Sequence, residues 1–500
     1  MPLTKLFTIP PAVTPSNFED AMQQAIALEL ATIPTYLSTY YSIIRAQDQD
    51  TLYSKLQSQL AKSILPPGTD MDSLAQELKV DILVYANKSA ALIMSVAIEE
   101  MLHLALSSNV KQAIVSPPEL LAISKVLTFP TELDGHEPEF PINTAKLSLN
   151  QLSTFLQIES PAPFTEPPNN GLMEQLIVDY KTIGDFYNDI IACVQANYPG
   201  PYPNKPQLLP PQKSAPGKQR PYYSQNSINT VYYDRGHNPK FASTDDGQEL
   251  IGVTESESAV AAMQEIQHQG EGNIQPDQTR LVFDPMTRMP IPLPVIDGEV
   301  HFQPGDYDTA GELSHFAKFM EIYSLGTFYQ QKFAHITGLD DFFSYFVRDQ
   351  ASNPQQADYD ASGDTALSLC SQLGNAIFTY ILLMIETCYY QEEDTQFNIF
   401  MYGIHKSMIW LLSGIGNSIN QYTYTKNGQS YLGSLTFEYF AFEKSQDRPK
   451  AQILSLVDQL AAADPNNWGW MTLPKYENYW PSLPDVGLDH TAVPNIPAIP

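Results

Sequence analysis

Cysteine is almost absent: Cys193, Cys370 and Cys388 are the three in 500 residues. Three scattered thiols supply neither a disulfide framework nor a zinc cluster, and they point to a reducing compartment, taken here as the cytoplasm. Positive charge is scarce too, with 27 Lys and Arg against 56 acids and a net charge of -29. Nucleic acid and anionic membranes repel such a surface, so neither is expected as a partner. No uninterrupted apolar run approaches about 18 residues, and MPLTKLFTIPPAV lacks the apolar core of a signal peptide. Neither a transmembrane helix nor a secretory leader is therefore expected. The most apolar stretch, residues 376–390, carries Glu386 and suits a core helix; Glu386 and His405 have no spaced partners and read as hydrogen-bonded core residues. No internal repeat is present.

What the chain does have is helical periodicity with acids in the wrong place for a plain core. In IMSVAIEEMLHLALSSN (93–109), Ile93, Val96, Glu100, His103 and Ser107 fall on one helical stripe. A carboxylate among Ile, Val, Leu and Met is costly to desolvate unless something positive meets it, and a metal ion answers Glu and His together. Glu-x-x-His projecting inward is half of the di-iron carboxylate pattern of helix bundles. The arrangement recurs at Glu312 and His315, which share a stripe with Phe319 and Ile322. Glu265 and His268 repeat the spacing in polar surroundings and read as a solvated pair.

Other helices supply further acids. A helix opening at a capping box, Ser16 to Glu19, places Glu29 in the middle of an apolar face, with Pro34 expected to bend it just beyond. In a third helix, Val178, Thr182, Asp185, Asp189 and Cys193 share a stripe, so both aspartates are expected to point inward; the alternative is a half-buried seam with both solvated. The fold expected is mainly α, a four-helix bundle with helices about 16–45, 71–113, 170–197 and 308–333. The long crossover of residues 117–170 is the ferritin-like connection. A Pro-rich insertion at 198–304, with a hairpin from 229–234 and 250–253, interrupts the bundle of 1–340. A C-terminal helical region (341–464), with helices at 365–392, 395–421 and 448–463, and an irregular Pro- and Trp-rich tail (465–500) complete the chain.

AIALELATIPTYLSTYYSI (25–43) and VAIEEMLHLALSSN (96–109) resemble signature segments of the ferritin-like domain of the iminophenyl-pyruvate dimer synthases, enzymes of violacein- and rebeccamycin-type pathways. FLQIESPAP (155–163), TIGDFYNDI (182–190), QGEGN (269–273) and ELSHFAKFMEI (312–322) follow in the expected order. The resemblance implies a ferritin-like bundle with a non-haem iron site. It makes Glu29 a terminal carboxylate, Glu100 with His103 the second helix's ligands, and Glu312 with His315 those of the fourth. The third helix departs from the family, with Asp185 where a Glu is usual, so that role falls to Asp185 or to Glu271.

A carboxylate and imidazole set with open positions suits iron, two ions bridged by Glu100 and Glu312, with manganese as the alternative. The expected function is an iron-dependent oxidoreductase: an oxidase, an oxygenase or an oxidative coupling enzyme. Dioxygen and an amino-acid-derived aromatic compound of specialised metabolism would be its substrates. Tyr36, Phe186, Tyr187 and Phe316 would line a pocket, or serve as plain core. The alternative is a ferritin-like metal-binding or stress-protection protein with no organic substrate. Nothing in the sequence fixes the oligomer.

Overall fold

The structure is a computed structural model describing residues 4–5, 12–45, 47–132, 141–159, 183–208, 250–270, 279–283, 290–296, 299–300, 314–404, 407–444, 448–472, 480 and 483–493. Of the candidate ligands, Glu271 and Glu312 lie outside the described residues, as do His405 and the expected strand at 229–234.

Among the described residues eight helices lead up to residue 334: α1 (Phe18–Ser42), α2 (Gln49–Leu60), α3 (Met71–Ile114), α4 (Leu120–Val126), α5 (Leu149–Ile158), α6 (Ile183–Asn197), α7 (Ser256–Gly270) and α8 (His315–Ala334). Helix α1 begins at Phe18, with Asn17 rather than Ser16 at its cap and no side-chain capping bond, and it runs unbroken through Pro34. Asp70 caps α3, accepting from the amides of Asp72 and Ser73. The centre of α3 is buried on every side from Ser95 to Ala113, apart from Ile98. It therefore has neighbours all round: α1, α2, α7 and α8.

Helices α3 and α8 run antiparallel. Lys332 pairs with Glu77 and Asp81, the Tyr85 hydroxyl donates to the Ile322 carbonyl at 3.0 Å, Lys88 pairs with Glu321, and Lys318 with Glu99. As the numbers rise on one helix they fall on the other.

The described part of the crossover, residues 117–132 and 141–159, contains regular structure. It holds α4, a two-residue strand pair at Thr131–Glu132 and Pro141–Ile142, and α5, which packs on α8. Leu250 to Val253 does not form the expected strand, because side chains rather than a second strand satisfy its backbone: Asn109 donates to the Ile251 carbonyl and Val253 N–H donates to Gln207. The antiparallel strands come later, at Thr279–Phe283, Pro290–Ile296 and Glu299–Val300, in what read as a connector. Pro290, Pro292 and Pro294 alternate, leaving the intervening N–H groups free to serve a ladder.

Beyond α8 come α9 (Gln356–Ser362) and α10 (Thr365–Cys388), the latter capped by Asp364. The expected helix over 395–421 is present in its described residues, α-helical at Glu393–Asn398 and Ser413–Ser418, π-helical at Ile399–Ile404 and Ser407–Leu412, and 3-10 at Ile419–Gln421. A hairpin pairs Thr423–Lys426 with Gln429–Leu432 around Asn427-Gly428, both at positive φ, as a tight two-residue turn requires. The tail is not irregular: Trp468 is fully buried, and Asp485–Val486 pairs with Ala492–Val493. Two helices, α3 and α10, are after all long and apolar enough to cross a membrane, but those stretches are 89% and 83% buried within the protein. They are core helices of one continuous apolar cluster.

Candidate metal centre

Glu29 on α1, Glu100 and His103 on α3, and His315 at the start of α8 converge, each about 2% exposed or less. One donor atom each from Glu100, His103 and His315 lies within 4.8 Å of the others. The two imidazoles stack with centroids 5.0 Å apart and planes 25° from parallel. His103 Nδ1 is 3.6 Å from Glu29 Oε2 and 3.9 Å from Glu100 Oε1. His315 Nδ1 is 2.8 Å from Glu100 Oε1 and 3.5 Å from Glu159 Oε2. Each imidazole thus turns Nδ1 toward the carboxylates.

The other ring nitrogens are held from outside. His103 Nε2 meets Gln269 Oε1 at 3.0 Å, and the Gln269 amide donates to Glu265 at 2.6 Å. His315 Nε2 lies 2.9 Å from Glu99 Oε2, the oxygen that also receives Lys318. The carboxylates are braced as well: Tyr187 donates to Glu29 and Tyr36 to Glu159. The Thr32 hydroxyl reaches Glu100 Oε2 at 2.8 Å.

Sequence reasoning missed Glu159, Glu99, Lys318 and Gln269, and it left Tyr36 and Tyr187 between pocket and core. Glu159 follows the last residue of α5, where Leu152, Phe155 and Glu159 lie on one buried stripe. That spacing was the available signal. A second stripe on α3, Lys88, Leu92, Ser95 and Glu99, would have revealed Glu99.

Asp185 is not brought to the cluster. The buried residues of α6 are Gly184, Phe186, Tyr187, Ile190, Cys193 and Val194, while Asp185 and Asp189 are only partly buried. Tyr187 faces the site, and a residue two positions away is turned by about 200°. A further acid, Glu159 from the end of α5, does reach the cluster, while Glu271, the other residue expected to serve in place of a third-helix Glu, lies outside the described residues.

The electrostatics are those of a site that wants positive charge. Burial pushes the Glu100 carboxyl up, with the Glu159 and Glu29 carboxylates adding to it, to about 8. Burial raises Glu29 too, but its contact with His103 and the Tyr187 hydroxyl outweigh that and hold it below the ordinary value. Against the same burial, Lys318 and His315 bring Glu99 down to about 2. Burial opposes charge on His103, yet Glu29 and Glu100 raise it; His315 is raised well above the ordinary range, chiefly by Glu159 against burial.

These residues fit a metal. Four buried acids, Glu29, Glu99, Glu100 and Glu159, face one lysine and two imidazoles. Both His315 nitrogens lie near carboxylate oxygens, yet neither closes a hydrogen bond of regular geometry. A buried carboxylate left without compensation costs several kcal/mol. A cavity of about 30 Å³ adjoins the cluster, walled by Leu28, Ile158, Ile183, Tyr187 and Ile266, room for an ion with one or two waters.

A family model described as Ferritin-like matches residues 22–324. The chain belongs to the ferritin-like family. Its match ends on α8 and takes in every residue of the cluster. Among solved structures, the crystal structure of a ferritin-like protein from Caulobacter vibrioides is similar at 17% identity and a TM-score of 0.34, over 81% of this chain and 98% of that one. No curated protein matches the chain.

Proposed function

We propose that the cluster is a two-metal carboxylate-histidine centre of an iron-dependent oxidoreductase. The observation that carries this reading is the convergence of Glu29, Glu100, Glu159, His103 and His315, from α1, α3, α5 and α8, inside an apolar core. Ferritin-like di-metal bundles use a Glu from each of two helices and a Glu-x-x-His from each of two others. Glu29 and Glu159 would be the single acids, and Glu100-x-x-His103 one pair. His315 stands at the end of a second such sequence. Iron bound there supplies electron transfer with dioxygen, and manganese is the alternative.

The protein's own part is to hold and insulate. Tyr187 and Tyr36 fix the orientation of Glu29 and Glu159. Gln269 holds His103 by a hydrogen bond, and Glu99 lies against His315 as a close ion-pair partner. Leu28, Ile158, Ile183 and Ile266 give the cavity beside the cluster apolar walls.

The resemblance to iminophenyl-pyruvate dimer synthases suggests an aromatic amino- or imino-acid substrate of specialised metabolism. The small cavity described beside the cluster, about 30 Å³, favours a second reading, metal binding or stress protection with dioxygen or peroxide as the only substrate. Three free, buried cysteines accord with a cytoplasmic setting.

Oxygen uptake by iron-loaded protein tests both readings. Uptake that rises on adding aromatic amino or imino acids supports the first; uptake indifferent to them, or consumption of peroxide alone, supports the second; stoichiometric iron binding with neither leaves only metal binding, and no iron binding refutes both. Glu100→Ala and His103→Ala are each expected to abolish stoichiometric iron binding with helical circular dichroism nearly unchanged. Full iron retention in both variants would remove the assignment.

A further inference from the structure

The two imidazoles of the cluster are held differently. His103 rests its Nε2 on Gln269, whose amide nitrogen is committed to Glu265, so the group facing His103 is a neutral carbonyl oxygen. His315 Nε2 lies 2.9 Å from Glu99 Oε2, a carboxylate, as a close ion-pair contact without regular hydrogen-bond geometry. The ammonium of Lys318, one turn along α8 and 1% exposed, is locked onto that same oxygen. Lys318 therefore holds Glu99 in place against the ring. A carboxylate behind a ligating imidazole fixes its orientation and strengthens it as a donor, whereas an amide fixes orientation with little added basicity.

We infer that Lys318 is a positioning residue which, through Glu99, aims Nδ1 of His315 at the cluster and makes the His315 side the stronger of two unequal metal positions. The inference rests on the metal-centre reading above and goes beyond it, since two metals held alike would satisfy that reading equally well. Loading is then stepwise, the His315 side first and the His103 side second.

The test is a titration of metal-free full-length protein with cobalt(II), followed by visible absorption against a competing chelator. Wild type is expected to fill in two steps separated by about tenfold or more in affinity. Lys318→Met is expected to weaken the first step by about 10–100-fold and leave the second unchanged, and Lys318→Arg to restore it. Gln269→Glu, which gives His103 the same kind of support, is expected to strengthen the second step and draw the two together. Should Lys318→Met fail to fold, Gln269→Glu carries the test alone. Equal steps in wild type, or a Lys318→Met effect spread over both steps or absent, would overturn the inference and leave the metal centre standing. No cobalt uptake by wild type would remove both.

Discussion

Glu100 is a side chain whose protonation is set by its neighbours in the cluster. Pushed up to about 8 by burial and by neighbouring carboxylates, it carries a proton at neutral pH when no metal is bound. Between the ordinary carboxylate value of 4.5 and about 8, the folded chain then binds a proton that the unfolded chain has lost. Stability of the metal-free protein accordingly falls as pH rises through that window. His103 and His315, both raised, act in the same direction: their contribution is complete below the ordinary histidine value of 6.5 and lost as pH rises through their folded values. Glu29 and Glu99, both lowered, contribute above the ordinary carboxylate value of 4.5, a contribution lost on acidification, for Glu99 toward about 2. Metal-free protein should therefore show a Tm that declines from about pH 6 to about pH 9. Glu100→Gln, which mimics the protonated form, should flatten part of that decline; an unchanged slope would contradict the assignment. Metal binding must displace this proton, so metal affinity should rise with pH up to about 8.

At the scale of elements, the site depends on how closely α3 and α8 approach. A Cβ at Gly326 would collide with the Tyr85 hydroxyl and come within 3.1 Å of the Tyr85 ring and of Leu149, so only glycine lets Tyr85 sit across the seam. Gly326→Val should destabilise the protein by about 1–3 kcal/mol through overpacking and should weaken metal binding by shifting His315. Wild-type affinity in that variant would show that the seam does not position the site. Helices α1, α3 and α8 were legible in the sequence because each couples a long apolar period to an acid or imidazole on the buried stripe. Helix α5 was not, since it is short and set among prolines, and Glu159 stayed hidden within it. On α6 two phases competed: Asp185 and Asp189 share one stripe, Ile183 and Tyr187 another, and burial follows the bulkier apolar set. The second Glu-x-x-His could be read only in part, with His315 at the cluster and Glu312 outside the described residues.

The whole molecule has one core. Leu30, Ile33 and Leu37 of α1 and Met101 and Leu104 of α3 line a small apolar cavity with Phe378, Ile381, Leu382 and Ile385 of α10. The C-terminal region thus packs on α1 and α3 through residues beside those of the cluster. A chain truncated after residue 340 should expose those residues and become aggregation-prone, as light scattering would show; a monodisperse, folded truncation would contradict a shared core. This second helical layer accounts for a chain of 500 residues around a site built mostly before residue 325. The claim on which the rest depends is that the buried acids and imidazoles hold metal. Anomalous diffraction at the iron edge, from crystals of protein produced with iron, tests it most directly. Two peaks about 3.5–4 Å apart among Glu29, Glu100, Glu159, His103 and His315 are predicted. Side chains in that same place with no anomalous peak between them would contradict it.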